Sequence, residues 1–433
     1  VEKQFRMKEL GTNVKKETLA GITTFVSMAY ILFVNPSVLG ASGMDKGAVF
    51  TATALSAILG CLLMAFLANY PIAIAPGLGD NAFFTYSVVL AMGIKWQTAL
   101  AGVVVASIIF TILTFFKIRE IVINAIPHNL KLAMAAGIGM FIAFIGLQGG
   151  GLVVASKSSL VQLGSLTVPT TWLTIFGLFV TALLMARKVP GSIFIGIVAT
   201  AILGLVTGLI KAPSQIVSSI PSMKPTFAVG IKHLGDVNTP QMWAVVLIFL
   251  LVAFFDTAGT LIGLAQQAGL MKNDKMPRIG QALMADSVSM LAGSVMGTTP
   301  TAAYVESSAG IAVGGRTGFT ALVVAVLFGF GMFFSPLLSV VTTQVTAPAL
   351  IIVGALMAQS LKEIEWDKFE IALPAFLTVI AMPLTYNISY GFAFAFLIYP
   401  ITMIAAGRKK ELNPVVIALF FVFIVMLYVL NVL

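Results

Sequence analysis

The chain has 433 residues, 59% of them hydrophobic and 9% charged, with a formal net charge of +9 at pH 7. Its mean hydropathy is +1.04. Soluble proteins carry about a quarter charged residues, so this composition excludes a water-soluble globule and requires lipid as part of the solvent. Runs of about 20 apolar residues recur, the length a helix needs to cross a hydrocarbon core of ~30 Å. The roughly ten-residue alternating segments of a transmembrane barrel do not occur.

In chain order, apolar runs bounded by charges or Gly/Pro predict spans over 17–40, 47–69, 74–92, 96–116, 131–148, 171–187 and 190–210. A polar, Pro-containing stretch, 211–240, follows. A second set covers 241–266, 279–297, 303–314, 317–335, 346–361, 371–386 and 389–406. The fold class expected is an all-α polytopic membrane protein with about 14 spans, seven plus seven. A last apolar run, 413–431, is either a fifteenth span or a helix lying on the surface. The first run reads as a true span rather than a cleaved signal. Cys61 is the only cysteine, so no intrachain disulfide forms, and His128 and His233 lie far apart in loops. No Cys/His metal cluster is expected.

Loop charge sets the orientation. With the N-terminus in the cytoplasm, the inner segments hold Lys3, Arg6, Lys8, Lys15, Lys16, Lys117, Arg119, Lys131, Arg187, Lys188, Lys272, Lys275, Arg278, Arg316, Lys362, Lys368, Arg408, Lys409 and Lys410. The outer ones hold Lys46, Lys95, Lys157, Lys211, Lys224 and Lys232. That bias obeys the positive-inside rule. It accounts for the net charge through topology and anionic lipid, with no nucleic acid.

The halves are weakly related. "YILFVNPSVLGASGM" (30–44) aligns with "DTAGTLIGLAQQAGL" (256–270), so that Tyr30 faces Asp256; "YPIAIAPG" (70–77) aligns with "TPTAAYVE" (299–306), so that Gly77 faces Glu306. Seven spans per copy is odd, so the second copy is inverted, a plan common among secondary transporters. The segments at Pro71–Pro76 and Pro300 hold too many breakers for helix. They read as short extended pieces leading into half-helices in spans 3 and 10. Such backbone is tolerated at membrane depth only when buried in protein or lining a cavity, and half-helix N–H groups can there meet a polar ligand.

Four acids fall within the spans: Asp80, Asp256, Asp286 and Glu306. An acid in lipid is costly unless paired or facing a cavity, so function is the default reading. Asp256 lies 13 residues after Trp243, roughly 20 Å along the helix and near mid-membrane. Thr257, Gly259, Thr260 and Gly263 surround it. Glu306 follows the Pro300 break, beside Ser307 and Ser308; the alternative is a partner of the helix dipole. Asn81 and Asp80 follow the first break, and each is otherwise an N-cap. Asp286 reads better as an interhelical hydrogen bond than as a ligand contact. Arg316 anchors a span start, and the Gly139, Gly146, Gly149–Gly151 series reads as close helix packing.

"TLAGITTFVSMAYILFVNP", "APGLGDNAFFTY", "FFDTAGTLIG" and "YVESSAGIAVGGRTG" occur in order along the chain. They resemble the signature segments of AzgA-like adenine/guanine/hypoxanthine permeases of the nucleobase–ascorbate transporter superfamily. The resemblance implies seven-plus-seven inverted repeats with a core domain (1–116 and 241–335) and a gate domain (117–240, including the outer loop, and 336–433). It further implies a homodimer in the bacterial inner membrane and purine–proton symport by an elevator-like movement of the core. It places Asp256 and Glu306 on the purine and Asn81 at the lining of the site. One departure is Asp80, where the family pattern has an apolar residue; an acid there bears on coupling.

The chemistry agrees independently. A purine is planar and neutral, with N–H donors and ring-nitrogen acceptors, and two carboxylates, one of them able to hold a proton, match it. Thr260 and Ser307 add hydroxyls, and Phe83, Phe84 and Tyr304 are candidates to stack on the ring. Asp256, Glu306 and Asp80 are the proton-coupling candidates, with the proton as coupling ion and no cofactor or metal. The alternatives are a same-fold transporter of xanthine or uracil, or of an anion such as sulfate, which two acids at the site oppose. A channel lacks a continuous polar lining, and an enzyme lacks a nucleophile–base pair.

Overall fold

A computed structural model describes residues 2–271 and 276–432; Lys272 and Lys275, counted above among the inner charges, lie outside them. Among the described residues, helices occupy the apolar runs, the runs 74–92 and 303–314 doing so only after a short extended start, and nine are long and apolar enough to cross a membrane. Three shorter apolar helices, Ser192–Val206, Pro240–Phe254 and Phe369–Thr385, accompany them. The final run is the helix Pro414–Val432, which packs on Ile388–Ala405 and has the length and hydropathy of a span.

Local chemistry sets the helix ends. Asn13 accepts from Lys16 N–H at the start of Val14–Met28, and Asp45 from Ala48 N–H at the start of Lys46–Leu63. Pro240 opens Pro240–Gln267 behind a Thr239 cap, where its missing N–H costs nothing. The first run is interrupted at Ala29–Tyr30, before Ile31–Gly40. There Leu32 and Phe33 donate to carbonyls only three residues back.

The helices fall into two groups. Val14–Met28, Lys46–Leu63, Trp96–Phe115, Pro240–Gln267, Ile279–Met296 and Gly318–Gly331 surround two short strands, β1 (Ile74–Pro76) and β4 (Thr301–Ala303). His128–Gly149, Pro169–Ala186, Ser192–Val206, Thr343–Met357, Phe369–Thr385 and Ile388–Ala405 form the other group. Its seam is built on small residues. A Cβ on Gly139 would lie 3.0 Å from the Gly354 carbonyl oxygen, and one on Gly146 2.9 Å from that of Ala347. That is the close backbone approach small residues permit in lipid. Phe115, Val206, Phe330, Phe369 and Leu384 are exposed at the periphery, as lipid contact requires.

Two further strands, β2 (Val153–Ser156) and β3 (Leu160–Leu163), form an antiparallel hairpin between the helices His128–Gly149 and Pro169–Ala186, where the apolar pattern shows only a loop. Between Trp96–Phe115 and His128–Gly149 lies the short helix Ile118–Ala125. Its Arg119, counted above among the inner charges, is fully buried and paired with Asp286.

Candidate functional site

Prolines shape the centre of the first group. Pro71, Pro76 and Pro300 have no N–H and cannot sit inside a helix without losing a bond. The chain on either side is extended, and its polar backbone must then be satisfied by protein, because lipid offers nothing. The two segments satisfy one another. β1 and β4 pair antiparallel, Ile74 opposite Ala303 and Pro76 opposite Thr301. Gly77 N–H donates to Pro300 O at 2.9 Å, and Tyr304 N–H to Ala73 O at 3.0 Å. The Tyr304 hydroxyl donates to Pro76 O at 2.6 Å, and Ala73 N–H to Ser307 Oγ at 3.0 Å. Short helices leave this crossing on either side, Leu78–Ala82 continuing into the wider-turned Phe83–Ala91, and Ser307–Ala312.

The acids gather around the crossing. Asp256, midway along Pro240–Gln267, and Glu306, just before Ser307–Ala312, are both half-buried. Glu306 makes no capping bond to its helix; its carboxylate accepts instead from the Tyr30 hydroxyl, at the break in the first run. Asp80 is completely buried. A Cβ on Gly77 would lie 2.9 Å from Asp256 Oδ2 and 3.0 Å from Asp80 Oδ2, so these two carboxylates converge on the one residue whose side chain is absent. Asp286 lies behind them. Its partner is Arg119, with Nη2 3.2 Å from Oδ2 and both side chains fully buried, and Arg119 also sits 4.1 Å over the Phe110 ring. Asp286 thus makes the expected interhelical hydrogen bond, and its donor is a guanidinium, so the bond is also an ion pair.

The other expected residues have defined places. Asn81 is buried and donates to Asn35 Oδ1 at 3.0 Å; Asn35 in turn donates to Thr53 and Thr298 at 2.8 and 2.9 Å. Leu78–Ala82 begins at Gly77 without a side-chain cap, so neither Asp80 nor Asn81 caps it. The Thr260 hydroxyl donates back to Asp256 O at 2.8 Å, and Ser307 is taken up by the strand crossing. Phe83 is fully buried and meets Phe249 edge-on, with centroids 4.9 Å apart. It is a core residue here rather than a ring facing a cavity, and Phe84 packs on the same Phe249. The structure thus brings together Asp256, Glu306 and Asp80, with Asn81 behind them. It adds Tyr30, Asn35 and Arg119, none of which the sequence reading placed at the site.

Elsewhere, Glu17 is buried and accepts from Arg316 N–H, Thr317 N–H and the Thr320 hydroxyl, while Arg316 donates to Ile311 O and closes the end of Ser307–Ala312. His233 contacts Asp236 at 2.9 Å; that contact and the Thr98 hydroxyl hold the Asp236 carboxyl below its ordinary range, away from the crossing. A cleft of about 340 Å³ between the two helix groups is lined by Ser37, Tyr86, Gln148, Thr346 and Tyr386.

The family described as Permease family, Xan_ur_permease, matches residues 15–394. The chain is 54% identical to the guanine/hypoxanthine permease PbuG of Bacillus subtilis, over 97% of this chain and 98% of that one. It is 42% identical to the adenine permease AdeQ of Escherichia coli, over 95% and 93%. Among solved structures, the transmembrane domain of the cyanobacterium bicarbonate transporter BicA superposes with a TM-score of 0.63 over 91% of this chain and 97% of that one. At 16% identity that likeness shows the fold alone. The family and these relatives are permeases and not enzymes. The chain is an integral membrane protein, and it belongs to this permease family.

Proposed function

We propose that the chain carries purine nucleobases, guanine, hypoxanthine or adenine, across the bacterial inner membrane by proton symport. The observation that carries this reading is the pair of half-buried carboxylates, Asp256 and Glu306, beside the strand crossing. They sit at a depth where lipid would expel an acid lacking a task. A purine offers ring and exocyclic N–H groups to carboxylate acceptors, and a protonated carboxyl offers a donor to a ring nitrogen. Two acids disfavour a sulfate-like anion. The names of the relatives support a purine over other solutes.

The division into two helix groups supports alternating access. The group holding the crossing is the moving core (1–116 and 241–335), and the other is the gate (117–240 and 336–433), the helix Ile118–Ala125 bridging them. Seven-plus-seven inverted repeats, a cytoplasmic N-terminus and a homodimer belong to the same reading. The test is uptake of labelled hypoxanthine into proteoliposomes, with adenine, guanine, xanthine, uracil and sulfate as competitors. Competition by the three purines named above is expected. Competition by sulfate or uracil alone would overturn the substrate assignment, and uptake indifferent to a proton gradient would remove symport.

A further inference from the structure

Four ionisable side chains share the interior of the core beside the crossing: Asp80, Asp256, Asp286 and Arg119. Glu306 faces them from the other side and is engaged by Tyr30. The one cation is spent on Asp286, so Asp80 and Asp256 have no counter-charge among the described residues. Asp80 is the more isolated of the two: it is 0% exposed, and neither carboxylate oxygen has a hydrogen-bond partner. A buried carboxylate with no donor at either oxygen is costly, and the fold tolerates it here, one residue before the bonded Asn81. Convergence on Gly77 brings its Oδ2 to within about 6 Å of Asp256 Oδ2, a range at which one carboxylate opposes ionisation of the next.

We propose that Asp80 and Asp256 form a carboxyl pair sharing a single proton, and that this pair is the coupling-ion site of the transporter. The inference rests on the nucleobase-transport reading. Asp256, half-buried and facing the crossing, meets the base and exchanges protons with water. Asp80 is the inner member. A water molecule carries the proton between them: an O–H bond on Asp256 breaks as water takes its proton, one on Asp80 forms as that water gives a proton up, no other atom is gained or lost, and the step reverses when the core faces the opposite side. With the proton on Asp80, Asp256 is an anion and accepts a purine N–H. With both ionised, the second negative charge opposes that state. Base and proton therefore strengthen each other's binding, and the linkage is reciprocal.

A proton fits better than a metal cation. Hard cations take six or more oxygen ligands, and neither Asp80 oxygen has a hydrogen-bond partner. The groups facing Asp80 are Asp256 from Pro240–Gln267 and Asp286, already paired, from Ile279–Met296. Ile31–Gly40, also packed on Leu78–Ala82, has no titratable residue. His128–Gly149 presents Ile138 to Gly79; its His128 and Lys131 lie seven or more residues away in its first turn, roughly 10 Å along the axis.

The experiment has two readouts. In weakly buffered detergent solution with a pH indicator, hypoxanthine binding to the parent should draw about one proton per base, and binding to Asp80→Asn should draw none. In proteoliposomes, the ratio of hypoxanthine accumulation with and without an inward proton gradient should fall about tenfold or more, to near one, in Asp80→Asn. Asp80→Glu, which keeps a titratable group, should restore it. A parent that binds hypoxanthine without proton uptake overturns the proposal and leaves nucleobase transport standing, whether or not Asp80→Asn folds. Accumulation in Asp80→Asn that follows the proton gradient as the parent does also overturns it, as does accumulation driven by a sodium gradient in place of the proton gradient. A parent that binds no purine overturns the functional reading itself.

Discussion

Removing the charge of Asp286 should destabilise the protein more than removing that of Arg119. Both side chains are 0% exposed, and their contact is 3.2 Å. Arg119 Nε and Nη1 and Asp286 Oδ1 have no hydrogen-bond partner, so this one bond carries the pair. Breaking a buried pair from one side costs about 3–5 kcal/mol, mostly the penalty of the stranded charge. The two sides are unequal. A guanidinium cannot shed its proton, whereas a lone buried carboxyl can neutralise by binding one. Asp286→Asn should therefore cost the full ~3–5 kcal/mol, and Arg119→Met nearer 1–3 kcal/mol, the scale of an unsatisfied polar group. Arg119→Met/Asp286→Asn removes both charges and should cost less than the two single changes summed, a coupling of at least ~2 kcal/mol. Equilibrium unfolding in mixed micelles, with monodispersity checked by gel filtration, measures all four proteins. Asp286→Asn within 1 kcal/mol of the parent, or a double variant equal to the sum of the singles, would refute the reasoning.

Three further outcomes follow from named contacts. Tyr30→Phe deletes the hydroxyl that donates to Glu306 and should weaken hypoxanthine binding by about 1.5–3 kcal/mol, or ten- to a hundredfold. Isothermal titration measures it, and an unchanged affinity would detach Tyr30 from the site. Gly77→Ala places a Cβ 2.9 Å from Asp256 Oδ2 and 3.0 Å from Asp80 Oδ2; uptake should be lost while the detergent-purified protein stays monodisperse, and near-parental uptake would mean the carboxylates lie elsewhere. Cys61 is buried, with its sulfur 3.5 Å from Ile74 O, so the folded parent should resist impermeant maleimide. In a Cys61→Ala background, cysteines at Ser222 and Lys409 should label from opposite faces, and labelling of both from outside would break the orientation.

The helices were legible because lipid imposes a composition on whatever touches it, and the apolar runs became helix in whole or in part. The extended pieces at Pro71–Pro76 and Pro300 were legible because proline forbids the alternative. Their mutual pairing was not, since β1 and β4 are more than two hundred residues apart and share only backbone bonds. Asp256 and Glu306 stood out as acids in apolar surroundings. Arg119 did not, because "FFKIREIV" reads as the charged edge of a span and nothing local says that its guanidinium turns inward to Asp286. Asn35 carried a signal that went unused: an amide inside "YILFVNP" must find partners, and it finds Asn81, Thr53 and Thr298. Tyr30 had one as well, since the internal alignment sets it opposite Asp256. The aromatic residues misled, because Phe83 fills the core at Phe249, and periodicity cannot separate a ring that packs from a ring that stacks on a ligand.

The central claim is that mid-membrane carboxylates read a purine, and Glu306→Gln tests it most directly. Glutamine keeps the size and one acceptor but removes the charge. A partner of the helix dipole is worth ~0.3–1 kcal/mol, whereas a charged ligand contact is worth about 1.5–3 kcal/mol. Hypoxanthine titrated into purified parent and Glu306→Gln should show a ten- to hundredfold loss of affinity in the variant. An affinity within about threefold of the parent, from a variant that purifies and melts as the parent does, would contradict the account.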